Sequence, residues 1–170
     1  FAVPGIPLVK PGDDIAGFIL DGVAAMGEAL ADGDVLVVAQ KIVSKTEGRL
    51  VALSTVTPSA RAHELAGLTG KDPRVVELVL RESNAVLRAK TNVLIVEQKL
   101  GLVIANAGID RSNVEGGAGD MALLLPVDPD TSARGLRETF RSRSGADVAV
   151  VIADSVGRAW RIGTSALAIG

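Results

Sequence analysis

The sequence predicts an α/β (α+β) fold in which a mixed sheet is flanked by helices. Short apolar runs bounded by turn residues, typical of buried strands, alternate with segments whose apolar residues recur at helical spacing. Two of the apolar runs are separated by a few residues only, which indicates a hairpin. The chain has 170 residues, 48% of them hydrophobic, and a net charge of -2, which is typical of a single folded domain and excludes a disordered chain.

The first half of the chain contains three predicted helices and one predicted strand. A helix is expected over residues 14–30, because Asp13 or Asp14 can cap it and apolar residues follow at helical spacing. The apolar run 35–39 predicts a buried strand, and residues 40–49 are expected to form a polar loop. Helices are then expected over residues 58–68 and 73–83, each beginning at a proline or next to one.

The second half is expected to contain mostly strands. The runs 93–97 and 102–105 predict a hairpin, and a helix with acidic residues in its first turn is expected over residues 128–144. A buried strand is predicted over residues 148–153. The remainder, through Trp160 to Ile169, is expected to be a basic loop and one more strand.

Composition excludes several classes of function. With no cysteine and one histidine, the chain offers no disulfide, thiolate metal site, cysteine nucleophile or multi-histidine centre. Any metal must therefore be held by oxygen ligands, which favours Mg²⁺, Mn²⁺ or Ca²⁺. The balanced charge argues against nucleic acid as a partner. The chain has neither a membrane-length apolar run nor a signal-peptide pattern, so we expect no membrane partner and a cytoplasmic protein.

Three polar segments follow predicted strands, at the position where open α/β sheets usually bind ligands. They are residues 44–49, 106–113 and 154–158. The carboxylates Asp110 and Asp154, with nearby cations, suit a metal-bound polyphosphate. An aspartate after a strand is also a common turn former or helix cap, so both interpretations stay open. The cations in or beside these segments are Lys45, Arg49, Arg158 and Arg161.

Other features of the sequence have simpler interpretations. His63 falls in a helix, where a surface or packing role is favoured because catalysis by histidine needs a positioned partner. Trp160 is either a packing anchor or a stacking surface for a planar ligand. Residues 67–72 are similar to a phosphate-binding P-loop, but Leu65 stands where its first glycine is needed and Asp72 replaces its Ser/Thr.

Several stretches of the chain, including the polar segments that follow the predicted strands, closely resemble the coenzyme F420:L-glutamate ligase family, the F420-0 gamma-glutamyl ligases. The similar stretches cover nearly the whole chain in the order found in the family. They are residues 5–14, 33–49, 106–114, 124–126 with 128–130, and 154–158. The resemblance implies that residues 1–170 are most of one ligase domain, similar to the N-terminal domain of the actinobacterial bifunctional enzyme, with a C-terminal part absent.

The resemblance also implies an activity and a site. Family members use GTP and a divalent metal, Mg²⁺ or Mn²⁺ with K⁺ as a further candidate, to join L-glutamate to the deazaflavin coenzyme precursor. They are expected to form an intertwined homodimer. The GTP contacts would be Gly5, Ile6, Pro7, Leu8, Gln40, Lys45 and Asn113. The metal ligands would be Asp110, Asp154 and Ser155.

Activation of a carboxylate as an acyl phosphate is the simplest route to this amide bond. In that scheme Lys45 or Arg158 would offset the charge that develops during phosphoryl transfer. Two alternatives stay open. A metal-dependent nucleotide phosphohydrolase would use water in place of glutamate, and a non-catalytic module would bind nucleotide or dimerise without turnover.

Overall fold

A computed structural model describes residues 1–111, 121–157 and 162–170 of the chain. These residues form two compact units. Unit 1 consists of Phe1–Gly48 and Pro126–Gly170, and unit 2 consists of Arg49–Leu125. In the sequence, unit 2 is therefore an insertion within unit 1. Whether residues 1–170 make up most of one ligase domain stays a prediction.

Helices and mixed sheets confirm the predicted α/β class. The helices are α1 (Ile15–Ala25), α2 (Gln40–Thr46), α3 (Ala60–Thr69), α4 (Pro73–Arg81) and α5 (Pro129–Ser144), with short 3₁₀ turns at Leu53–Thr55 and Asn106–Gly108. The strands are β1 (Val35–Ala39), β2 (Leu50–Ala52), β3 (Ser83–Lys90), β4 (Val93–Gln98), β5 (Val103–Ala105), β6 (Met121–Leu123), β7 (Ala149–Gly157) and β8 (Thr164–Ala168). None of the helices in the described part of the chain is both long enough and apolar enough to cross a membrane.

Unit 1 is built on a three-stranded sheet in the order β1-β7-β8. Strands β1 and β7 are parallel, and β7 and β8 are antiparallel. Residues of α1, α2 and α5 pack on one face of this sheet and bury its inward-facing side chains, which supplies the unit with a hydrophobic core. Core residues from these elements include Ile19, Val43, Phe140, Val38 and Ile152.

The opposite face of this sheet is apolar and exposed. Because paired residues point to the same side of a sheet, the register puts Val35 and Val37 of β1 on one face with Ala149 and Val151 of β7. Val35 is 61% exposed and Val37 is 67% exposed. Exposed valines on an open sheet face are typical of a surface that another element or another molecule covers. The remaining apolar residues of this face are Ala39, Ala153, Ala166 and Ala168.

Unit 2 contains an antiparallel sheet in the order β3-β4-β5 and a two-stranded antiparallel pair, β2 and β6. The antiparallel β4-β5 pair confirms the predicted hairpin. Its core lies among α3, α4 and these strands, where the buried residues include Leu53, Leu65, Val76, Val79 and Val96.

The predicted elements differ from the structure in four respects. Residues 40–49 are not a loop, because Gln40–Thr46 form α2. Three strands, β2, β3 and β6, were not predicted. Strand β7 does not end at residue 153 but continues to Gly157, since β8 pairs with its second half. Helix α1 ends at Ala25, and the backbone N–H of Met26 donates to carbonyl oxygens of the preceding turn.

Candidate functional site

Two polar side chains are buried where the parallel pairing of β1 and β7 ends. The last pair in the register is Ala39 with Ala153, and the next residues along the chain are Gln40, which begins α2, and Asp154, which continues β7. Gln40 is 4% exposed and Asp154 is 9% exposed. A buried amide and a buried carboxylate at the carboxyl end of a parallel strand pair are typical of a ligand site in an α/β sheet.

Helix α2 begins directly after β1 and holds Gln40 in place. The Ser44 hydroxyl, one turn later on the same helix, donates a hydrogen bond of 3.0 Å to Oε1 of Gln40. Ser44 is fully buried. Lys45 follows it and is partly buried, so this cation lies on a helix rather than in the loop that the sequence predicted.

Asp154 and Ser155 lie inside β7, not beyond its end as predicted. Side chains alternate along a strand, so Asp154 faces the same side as the buried Ile152, and Ser155 faces the opposite, exposed side. The backbone N–H of Ser155 donates a hydrogen bond of 2.9 Å to Oδ1 of Asp154. The structure therefore does not bring the Ser155 hydroxyl to the face of the strand on which Asp154 lies. The role of Ser155 as a metal ligand stays a prediction.

Asp110 belongs to unit 2 and follows β5, as the sequence predicted. Its backbone N–H donates to the carbonyl of Leu123 at 3.0 Å, and its carbonyl accepts from the N–H of Leu123 at 2.8 Å. This bridge to the end of β6 fixes the backbone from which the carboxylate extends. One carboxylate oxygen of Asp110, Oδ2, is buried.

The turn before Asp110 has an unusual backbone. Asn106, Ala107 and Gly108 have φ angles of 52°, 55° and 71°, all in the left-handed region. A non-glycine residue in such a conformation costs roughly 1–3 kcal/mol and persists only where the surrounding packing enforces it. Oδ1 of Asn106 is buried and has no hydrogen-bond partner among the described residues. Strain combined with a buried acceptor is characteristic of a functional loop.

Arg49 has a structural role that the sequence did not show. Its Nε donates to the carbonyl of Leu125 at 2.8 Å, and its Nη2 donates to Glu82 Oε2 at 2.7 Å. Its own carbonyl accepts from the N–H of Leu124 at 3.1 Å. Arg49 therefore joins the two chain segments at which unit 2 begins and ends.

The predicted N-terminal contacts lie in an irregular segment of unit 1. Ile6 packs against the core of this unit, whereas Gly5, Pro7 and Leu8 are exposed. Three further predicted residues, Asn113, Arg158 and Trp160, lie outside the described residues, as does Arg161.

Each unit carries oxygen donors of the kind that suit a hard divalent cation. Unit 1 provides the carboxylate of Asp154, and unit 2 provides the carboxylate of Asp110 and the buried amide oxygen of Asn106, which has no hydrogen-bond donor among the described residues. Oxygen donors of this kind are the ligands of Mg²⁺ and Mn²⁺. In the described ranges no three His, Cys, Asp or Glu side chains form a group that could hold a metal ion. Asp110 and Asp154 belong to different units.

Residues 5–170 match the sequence model of a family described as F420-0:Gamma-glutamyl ligase. Three relatives, each named coenzyme F420:L-glutamate ligase, come from archaea. The Methanothermobacter thermautotrophicus protein is 44% identical over 168 residues, which is 99% of this chain and 66% of that protein. The Methanopyrus kandleri protein is 46% identical over 95% of this chain and 61% of its own length. The Archaeoglobus fulgidus protein is 45% identical over 100% of this chain and 65% of its own length. The chain therefore spans less than two thirds of the length of these relatives.

Proposed function

Because the chain belongs to the F420-0:gamma-glutamyl ligase family, we propose that its protein joins L-glutamate through an amide bond to a deazaflavin precursor of coenzyme F420. The observation that carries this proposal is the identity of 44–46% to three relatives with that printed name, over at least 95% of the chain. The chain covers only part of those relatives, so the proposal concerns the full-length protein.

We further propose that GTP supplies the driving force. An oxygen of the precursor's terminal carboxylate attacks the γ-phosphorus of GTP, the bond from that phosphorus to the β–γ bridging oxygen breaks, and GDP leaves. The glutamate amine then attacks the acyl carbon, and the bond from that carbon to the phosphate oxygen breaks. Inorganic phosphate leaves, and the amine proton passes to the solvent. A carboxylate in water is a poor electrophile, and the acyl phosphate removes this obstacle.

The residues proposed for this chemistry bind and neutralise charge rather than form covalent bonds. A divalent metal, when bound, would offset the charge on the phosphate oxygens, and Asp110, Asp154 and Ser155 are the residues proposed to hold it. Lys45 and Arg158 are proposed to offset the remaining charge. The burial of Asp154 beside the end of its pairing with β1 supports its assignment, and the strained turn before Asp110 supports that of Asp110.

The test is a reaction of the full-length protein with GTP, Mn²⁺ or Mg²⁺, L-glutamate and the deazaflavin acceptor, followed by mass spectrometry. We expect an acceptor one glutamyl unit heavier and a stoichiometric release of GDP. Consumption of GTP independent of glutamate would indicate the phosphohydrolase instead. Binding of GTP without turnover would indicate a non-catalytic module.

Substitution of the proposed metal ligands tests the site itself. Asp110→Asn and Asp154→Asn should each abolish metal-dependent turnover, because an amide cannot replace the charge of a carboxylate. Asp21→Asn is the control, since Asp21 is an exposed aspartate on α1. Full turnover in either of the first two variants would refute the assignment of that residue.

We also propose that the protein is a homodimer. The exposed apolar face of the unit-1 sheet, with Val35 and Val37 at its edge strand, supports an interface between copies. Light scattering coupled to gel filtration measures the mass in solution. A monomer at micromolar concentration would refute this proposal.

A further inference from the structure

Ser44 and Gln40 form a buried polar pair on α2. Ser44 is 0% exposed, and its hydroxyl donates to Oε1 of Gln40 at 3.0 Å. A hydroxyl on a helix usually bonds to the backbone carbonyl four residues earlier. Thr46 does so at the carbonyl of Ile42, at 3.1 Å, and so does Thr69 in unit 2. Ser44 instead bonds to the side chain of Gln40. Its hydroxyl therefore fixes the orientation of that amide and does not bond to a backbone carbonyl of the helix.

This hydrogen bond decides which end of the Gln40 amide is available. With Oε1 occupied by the Ser44 hydroxyl, the Nε2 group points the other way, and no residue in the described ranges accepts a hydrogen bond from it. If the amide were flipped, Ser44 would have to accept from Nε2 and its buried hydroxyl proton would lose its present acceptor. In the flipped orientation the Ser44 hydroxyl would have to donate to the backbone carbonyl of Gln40, the usual helical pattern, which is not the bond that the structure shows.

We propose that Ser44 is a positioning residue that acts through Gln40 and holds its NH₂ group towards an oxygen acceptor of the bound nucleotide. The inference rests on the proposed GTP-dependent function. An NH₂ group can only donate, so its partner must be an acceptor, either a phosphate oxygen or the carbonyl oxygen of guanine. Gln40 directly follows β1, at the carboxyl end of the parallel pairing of β1 with β7, where α/β proteins bind ligands.

The experiment measures GDP binding, in the presence of Mg²⁺, to the full-length protein by calorimetry. Ser44→Ala should weaken binding by roughly tenfold, the usual effect of losing one hydrogen bond to a charged or strongly polar acceptor. Gln40→Ala should weaken it at least as much. The double variant should bind as Gln40→Ala does, because Ser44 acts only through Gln40.

Thr69→Val is the matched control. It also removes a fully buried hydroxyl that is bonded one turn earlier on a helix, but in unit 2. Thermal unfolding without nucleotide should show a lower melting temperature for both this variant and Ser44→Ala. Only Ser44→Ala should lose affinity for GDP.

Parallel titrations with ADP distinguish the two acceptors. If Nε2 donates to a phosphate oxygen, Ser44→Ala weakens GDP and ADP by the same factor. If it donates to the guanine carbonyl, the amide released in Ser44→Ala can turn its oxygen towards the adenine amino group, and the preference for GDP over ADP falls.

Two results would overturn the inference alone. They are GDP affinity within twofold of wild type in Ser44→Ala, or a double variant clearly weaker than Gln40→Ala. A folded wild-type protein that binds no guanine nucleotide would overturn the proposed function and, with it, this inference.

Discussion

Gly108→Ala tests whether the strained turn before Asp110 is held by its packing against Leu125. Gly108 has a φ of 71°, and a Cβ added there would lie 2.8 Å from Cδ1, 2.9 Å from Cγ and 3.1 Å from Cδ2 of Leu125. Cβ atoms in proteins do not approach other atoms as closely as 2.8 Å. Either the turn or the leucine must therefore move.

The expected cost has two components. An alanine in the left-handed region costs about 1 kcal/mol relative to glycine. Overpacking a buried site costs about 1–3 kcal/mol more. Leu125 is 1% exposed, and its carbonyl is held by Arg49 Nε at 2.8 Å, so it has little freedom to withdraw. We expect Gly108→Ala to lower the free energy of unfolding by about 2–4 kcal/mol in total.

Gly101→Ala separates the two components. Gly101 also lies in unit 2 with a positive φ, 81°, but an added Cβ there would have no atom within 4 Å. It should cost about 1 kcal/mol, the backbone strain alone. Urea denaturation followed by circular dichroism measures both variants.

A double-variant cycle with Leu125→Ala completes the test. When the leucine side chain is removed, Gly108→Ala should cost no more than Gly101→Ala. If Gly108→Ala costs the same in both backgrounds, or no more than Gly101→Ala in the wild-type background, Leu125 does not hold the turn and the reasoning is refuted.

Three further predictions concern other parts of the chain. The hydrogen bond from the Arg74 side chain holds the pKa of Asp72 below its ordinary value of 3.8. The ionised Asp72 carboxylate therefore stabilises the fold above pH 3.8, and this stabilisation is lost as the pH falls through the lowered pKa. Asp72→Asn should thus reduce stability in urea at pH 6 but have less effect at pH 3, and an equal effect at both would contradict this. Arg49→Met should lower the free energy of unfolding in urea by about 2 kcal/mol, because it leaves the partly buried Glu82 without its cation. A decrease below about 0.5 kcal/mol, the range of ordinary surface substitutions, would contradict this prediction. Val37→Lys should lower the mass measured by light scattering from dimer to monomer, and an unchanged mass would contradict it.

The starts of four helices and the position of one strand could be predicted from the sequence because their signals are local. Asp14, Ser59, Asp72 and Asp128 each accept a hydrogen bond from a backbone N–H of the first turn that follows. Residues 35–39 form a strand with the predicted bounds, but the prediction that it is buried was wrong, since Val35 and Val37 are exposed on the open face of the sheet. A cap or a continuous apolar run is visible in a few residues, whatever the rest of the chain does.

Strand β3 could not be predicted in the same way. Along Ser83–Lys90 most residues are exposed, and the strand has no regular alternation of buried and exposed positions. Its pairing with β4 contains two register shifts, which break the period of two that a strand shows in sequence. The strand exists because β4 pairs with it, and this tertiary cause has no local signal.

The candidate site was mispredicted for a related reason. Hydrophobic patterning assigns polar residues to surfaces and loops, whereas Gln40, Ser44 and Asp154 are polar and buried. Gln40 and Ser44 made α2 look like a loop, and Asp154 made the middle of β7 look like its end. A helix period across residues 40–46, with Val43 and Ser44 on the inner side, was the signal that could have identified α2.

Burying such groups is unfavourable unless each finds a partner, so a sequence keeps them where function or a specific hydrogen bond requires them. Ser44 has its partner in Gln40, whereas the Oδ1 of Asn106 has none among the described residues. Two of the places where local patterning failed in unit 1, α2 and the second half of β7, therefore coincide with residues on which the proposed chemistry depends. The resemblance named Gln40 and Asp154, but it did not indicate that Ser44 decides which end of the Gln40 amide a ligand meets.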